Sequence, residues 1–128
     1  MSASPVYRVH AVKVGEADVT VGECFALERV SDWQRLAYYL LVIEGDDRTI
    51  VVNSGPPKDL TALNDAWRSY GRTLLGGPEG ERLQLRVRPE EHPAEALARV
   101  GVDPAAVDDV IVTPIASYAT ATTAARLQ

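Results

Sequence analysis

Histidine, cysteine, methionine and phenylalanine are nearly missing from this sequence: its 128 residues hold two histidines and one each of the other three. A single cysteine, Cys24, excludes an internal disulfide and fits a reducing compartment. A catalytic zinc site ordinarily takes three protein ligands, mostly imidazole, with further groups to orient them. His10, His92 and Cys24 lie far apart and share no ligand spacing, so neither a metal nor another cofactor is expected. No basic block offsets the formal charge of −5, which argues against nucleic acid as a partner. No apolar run is long enough to span a membrane, and Met1-Ser2-Ala3-Ser4-Pro5 has neither region of a signal peptide. The expectation is a cytoplasmic protein with no membrane partner.

What is present reads as one globular domain, since 46% hydrophobic against 24% charged residues suffices for a core. Residues 5–14 alternate partly and predict a first strand near a sheet edge. His10 sits in it with nothing acidic beside it in the sequence, a plain sheet histidine. Residues 15–35 show no clear period and predict a long loop. Phe25, Leu27 and Trp33 there either cap a pocket or pin the loop to the body; pinning is favoured. Cys24 has no cation near it to activate the thiol.

Residues 36–43 form a continuous apolar run, Glu44-Gly45-Asp46-Asp47-Arg48 is a turn signal, and residues 49–53 return as a second strand. Both strands are apolar on both faces, which predicts central strands covered by helices on one side and a second sheet on the other. Asp59 is a candidate N-cap for a helix ending near Gly71, with Leu60, Leu63, Trp67 and Tyr70 as its core stripe. Residues 72–81 predict a flexible loop, and residues 82–88 an outer strand. On that strand Arg82, Arg86 and Arg88 form an outward stripe, read as solvated rather than as a carboxylate-binding surface. Pro93 starts a helix through Val100 with Gly101 after its end and His92 at its cap. Asp103-Pro104 opens a turn into the last strand, and residues 118–127 predict a weak terminal helix.

That last strand holds the chain's most site-like stretch. Val110, Ile111, Val112 and Thr113 run into a loop of small residues, the geometry that places a site at the end of a buried strand. The loop's chemistry is sparse. Ser117 and Thr120 offer hydroxyls and Tyr118 a phenol, with no imidazole, carboxylate or thiol.

Asp108-Asp109-Val110-Ile111-Val112-Thr113-Pro114-Ile115-Ala116-Ser117-Tyr118-Ala119, with residues 96–107 ahead of it, resembles the segment leading into the metal motif of the metallo-β-lactamase superfamily, lactonase-like branch. Tyr39-Leu40-Leu41-Val42-Ile43-Glu44-Gly45 and Thr49-Ile50-Val51-Val52-Asn53-Ser54-Gly55-Pro56-Pro57 are similar to that family's strand pair ending in Val-Asp-Thr-Gly. The resemblance implies Thr-His-x-His-x-Asp-His from Thr113 onward, but its ligand positions fall on Pro114, Ala116, Tyr118 and Ala119. Proline and alanine have no donor atom there, and a phenol is a poor zinc ligand beside imidazole. Asn53 stands where the family has Asp, keeping the shape and hydrogen bonding without the charge.

The resemblance therefore implies an α/β (α+β) fold, half of a metallo-β-lactamase-like domain with a mixed β-sheet packed with helices. The second sheet would lie beyond Gln128, and the chain is expected to complete its core through another copy of itself or a partner chain. The function expected is that of a metal-free, degenerate relative, a pseudoenzyme serving as a binding or scaffold subunit with no catalytic residue of its own. The alternative is a lactonase-like metallo-hydrolase whose ligands come from a partner or a missing C-terminal half. Metal-free catalysis by Ser117, Tyr118 or Thr120 beside Asn53 lacks a general base. If a small-molecule pocket exists, Asn53, Ser54, Thr113, Ser117 and Tyr118 are the residues expected to line it.

Overall fold

The sheet is built outward from the hairpin that the sequence marks most strongly. In a computed structural model, which describes residues 4–21 and 32–113, β1 (Arg8–Thr20) precedes that hairpin of β2 (Trp33–Glu44) and β3 (Thr49–Val52). Gly45 N–H donates to the Arg48 carbonyl at 2.9 Å, closing the turn. β1 lies antiparallel to β2 from Arg8 to Thr20. β4 (Leu85–Arg86) joins the outer side of β1, and β5 (Asp109–Ile111) joins β3 in parallel. The order is β4-β1-β2-β3-β5. One parallel pair in an antiparallel sheet makes it mixed, and with α1 (Thr61–Leu75), α2 (Gly77–Gly80) and α3 (Pro93–Arg99) the class is α+β, as expected.

Both described helical layers cover the same sheet face. Ala96 and Leu97 of α3, with Val102, pack on Val12, Val14, Leu40, Val42 and Val51. Leu60, Leu63 and Trp67 pack beside Ala17, Val19, Leu83 and Leu85. Each fully buried leucine or valine there is worth about 1.5–3 kcal/mol relative to exposure. Tyr70, expected in the helix stripe, is half exposed instead.

The opposite face of the sheet is less covered. β2 and β3 are central, yet among the described residues no second sheet covers them: Val9, Tyr39, Leu41 and Ile111 remain 60%, 50%, 36% and 45% exposed. β1 also runs six residues past the predicted end at 14, and β2 begins at Trp33, so strand replaces the loop expected over 15–20 and 33–35. The cause is a bulge between Lys13 and Gly15 that shifts the register and interrupts the alternation. Cys24, Phe25 and Leu27 lie outside the described residues. So does the terminal helix expected over 118–127.

Smaller differences have local reasons. α1 continues one turn past Gly71, because that glycine lets the backbone at Gly80 approach. Asp59 Oδ1 accepts Thr61 N–H at 2.9 Å, so the expected cap holds the helix start from just outside it. The strand predicted over 82–88 shrinks to Leu85–Arg86, since only Glu16 and Ala17 of β1 pair with it.

Candidate functional site

β3 and β5 lie side by side in parallel, with Val52 opposite Ile111, so their C-terminal ends emerge together. In open sheets this is the end at which ligands bind. Asn53 leaves β3 in the left-handed region at φ 62°, a conformation that asparagine tolerates better than most residues. Its N–H donates to the Ile111 carbonyl at 2.7 Å. Its side-chain Oδ1 accepts Thr113 N–H at 2.9 Å and lies 3.4 Å from the Thr113 hydroxyl. Two residues expected at a pocket are thus joined to each other. Ser54 is fully buried just after them. Ser117 and Tyr118, the other two, lie outside the described residues.

The exit from β3 is fixed from the helix side as well. Gly55 also has positive φ, 73°, and a Cβ there would meet Pro93 Cγ at 2.9 Å and Val14 Cβ at 3.4 Å. Pro93 is the first residue of α3, so this contact brings the helix start, and with it the backbone at His92, to the strand end. His92 is extended ahead of the proline, as expected.

The other chemistry-bearing groups are placed elsewhere. Asp108 Oδ2 accepts Thr49 N–H at 2.7 Å and Asp109 Oδ2 accepts from Arg48 at 3.1 Å, both at the opposite end of the β3–β5 pair. His10 Nε2 is 2.8 Å from Glu44 Oε2, an acidic neighbour that sequence inspection missed because 34 residues separate the two. Around the bulge an ionic cluster joins Lys13 to Glu16 at 2.7 Å and to Glu91 at 3.0 Å, and joins Asp18 to Arg35 at 2.9 Å and Arg86 at 3.2 Å.

Those contacts move the pKa values of the cluster. The hydrogen bond from Lys13 holds Glu16 below its ordinary value, and that from Arg35 does the same for Asp18. Burial pushes Glu91 up, but the Arg88 N–H and Lys13 outweigh it and leave its carboxyl lowered. Glu16 in turn, with Glu91, raises Lys13. Two of the expected arginine stripe are likewise engaged by their own chain: Arg82 stacks 4.2 Å over the Trp33 ring and Arg86 meets Asp18, while at Arg88 it is the backbone N–H that donates to Glu91, at 3.0 Å. Glu16 and Asp18, two apart in an extended segment, were the available sign of this charged patch.

A metal does not fit this donor set. Among the described residues no group of three or more His, Cys, Asp or Glu side chains is placed to hold one. Among the described residues, the candidate side chains at the strand end, Asn53, Ser54 and Thr113, are a neutral amide and two hydroxyls.

No family model matches the chain, and no curated protein matches it in sequence. Solved structures do resemble its fold. A probable metal-dependent hydrolase from Staphylococcus aureus aligns with TM-score 0.62 and 16% identity over 91% of this chain and 40% of its own. An N-acyl homoserine lactone hydrolase with the product N-hexanoyl-L-homoserine bound at its catalytic metal centre aligns with TM-score 0.61 and 14% identity over 86% of this chain and 40% of its own. A quorum-quenching N-acyl homoserine lactone lactonase gives 0.60, 13%, 86% and 38%. The chain spans about two-fifths of the length of each. Among the described residues no helix is long and apolar enough to cross a membrane.

Proposed function

From the metallo-β-lactamase fold that its described residues share with these hydrolases, we propose that this chain is a metal-free relative that works as a binding or scaffold subunit. Fold and activity separate readily, so the activity must be argued from the site. The observation that carries the reading is the donor set. Asn53 supplies an amide where the family resemblance implies a carboxylate, and Pro114, Ala116, Tyr118 and Ala119 supply no imidazole or carboxylate. The apolar sheet face around Leu41 is the proposed surface for the protein partner, a second copy or a separate chain. Asn53, Ser54, Thr113, Ser117 and Tyr118 are the proposed lining of any small-molecule site.

The second reading, a lactonase-like metallo-hydrolase, draws on the likeness to the N-acyl homoserine lactone hydrolases. It requires that metal ligands come from another chain or from residues outside this sequence.

Metal analysis and light scattering on protein purified without chelator, followed by an N-acyl homoserine lactone hydrolysis assay with and without added zinc, separate the two. The scaffold reading expects no stoichiometric metal, no hydrolysis, and a mass above that of one chain, as a homo-oligomer or with a copurifying partner chain. Stoichiometric zinc with zinc-dependent hydrolysis would overturn it in favour of the second reading.

A further inference from the structure

Asn53 is the one non-glycine residue with positive φ among the described residues, and it stands where the two parallel strands part. Its N–H makes the last backbone bond of the pair, to the Ile111 carbonyl. The next donor on the β5 side, Thr113 N–H, has left the ladder and is taken up by the Asn53 side-chain oxygen. The left-handed turn aims that oxygen back across the pair. A residue in extended conformation would carry its side chain out of the sheet plane instead.

We infer that Asn53 staples the β3–β5 strand end by hydrogen bonding alone, so that this end of the sheet closes without a metal ion; the inference rests on the metal-free reading. An amide oxygen occupied by Thr113 donors is a neutral acceptor already in use, and among the described residues no group of metal ligands stands beside it. The acids at the start of β5 cannot supply a ligand, because Asp108, just before the strand, and Asp109 are held at the far end by Thr49 and Arg48. The exit is also closed by packing, with Ser54 and Pro56 fully buried and Gly55 in contact distance of Pro93 and Val14. No part of this closure calls for a cation.

The test uses the full chain and three variants, with thermal unfolding and Thr113 amide exchange as readouts. Asn53→Gly keeps the backbone conformation and removes the acceptor, Asn53→Ala also adds left-handed strain, and Asn53→Asp keeps the acceptor. The staple expects a midpoint for N53G lower by about 5 °C, the shift that one lost hydrogen bond produces in a domain of this size, with faster exchange at the Thr113 amide. N53A falls further, and N53D at neutral pH stays close to the parent. Chelator and stoichiometric zinc leave the midpoints of the parent and of N53D unchanged, because restoring one carboxylate does not restore the other ligands. A midpoint that rises with zinc or falls with chelator would overturn the inference, as would N53G with an undisturbed Thr113 amide. Metal-free lactone hydrolysis would remove the scaffold reading and leave the staple standing, whereas an unprotected Thr113 amide in the parent would do the reverse.

Discussion

Gly71 of α1 and Gly80 of α2 meet backbone to backbone: a Cβ placed on Gly71 would lie 2.5 Å from the Gly80 carbonyl oxygen. The approach folds the α1–α2 corner back on itself, and Arg72 and Glu81 clasp it at 2.6 Å. Helix propensity alone favours alanine over glycine in a helix by about 1 kcal/mol. Here the added methyl meets main chain, which cannot rotate away, so a cost near the upper end of about 1–3 kcal/mol applies. Gly71→Ala is therefore expected to destabilise by roughly 1–2 kcal/mol in urea unfolding. Ser69→Ala, on an exposed position of the same helix, should change stability by less than about 0.5 kcal/mol. A stabilised Gly71→Ala variant would mean that the two glycines do not touch in solution.

Leu97 should be the most sensitive position of α3. It is fully buried against strand residues that include Leu40, Val42 and Val51, and truncation leaves a cavity that a sheet cannot collapse to fill. Leu97→Ala is expected to cost about 2–5 kcal/mol, against less than about 0.5 for Leu74→Ala on the exposed side of α1. Equal losses at the two positions would contradict the placement of the core.

The acid limb of stability should depend on the cluster around Lys13. Glu16, Asp18 and Glu91 have lowered pKa values. Their contribution is present above the ordinary values of 4.5 and 3.8 and is lost as pH falls through the lower, folded values. Lys13 is raised, so its contribution is present below 10.5 and is lost as pH rises through the folded value. Unfolding followed from neutral pH downward should show stability falling below about pH 4.5, more weakly in high salt. Glu91→Gln removes the charge facing Lys13 while keeping an acceptor for Arg88 N–H, so it should be less stable at neutral pH and lose less on acidification. An acid limb identical to that of the parent would exclude Glu91 from the cluster.

These residues also mark what the sequence could and could not disclose. The β2–β3 hairpin was legible because an unbroken apolar run meets Gly45-Asp46-Asp47, and the α3 start because Pro93 and Gly101 punctuate it. The second half of β1 was not, since the bulge at Lys13 and Gly15 breaks the period just where Glu16 and Asp18 make the strand look like a polar loop. At the candidate site, Asn53 and Thr113 were legible as strand-end residues, but the hydrogen bond joining them depends on one backbone angle that no local pattern announces. The His10–Glu44 and Lys13–Glu91 contacts were hidden for a different reason. Each joins residues that are distant in sequence and meet only after the sheet forms.

The sharpest test of the proposed interaction surface compares Leu41 with its neighbour Val42. Successive strand residues point to opposite faces, and here Val42 points into the helix-covered core while Leu41 stands on the face left open among the described residues, with Ala11 and Val52 opposite it on the adjacent strands. Val42→Lys would bury an unpaired ammonium and should abolish folding. Leu41→Lys places the same charge where the side chain reaches water, so the isolated chain should keep its circular dichroism and lose less than about 1 kcal/mol. Against a partner the effect reverses, because apposing an apolar surface would strip water from that ammonium with no carboxylate to receive it. If the parent associates through this face, L41K should sediment at the mass of one chain over the concentration range in which the parent does not. A variant that is folded and still associates as the parent does would place the partner on another surface.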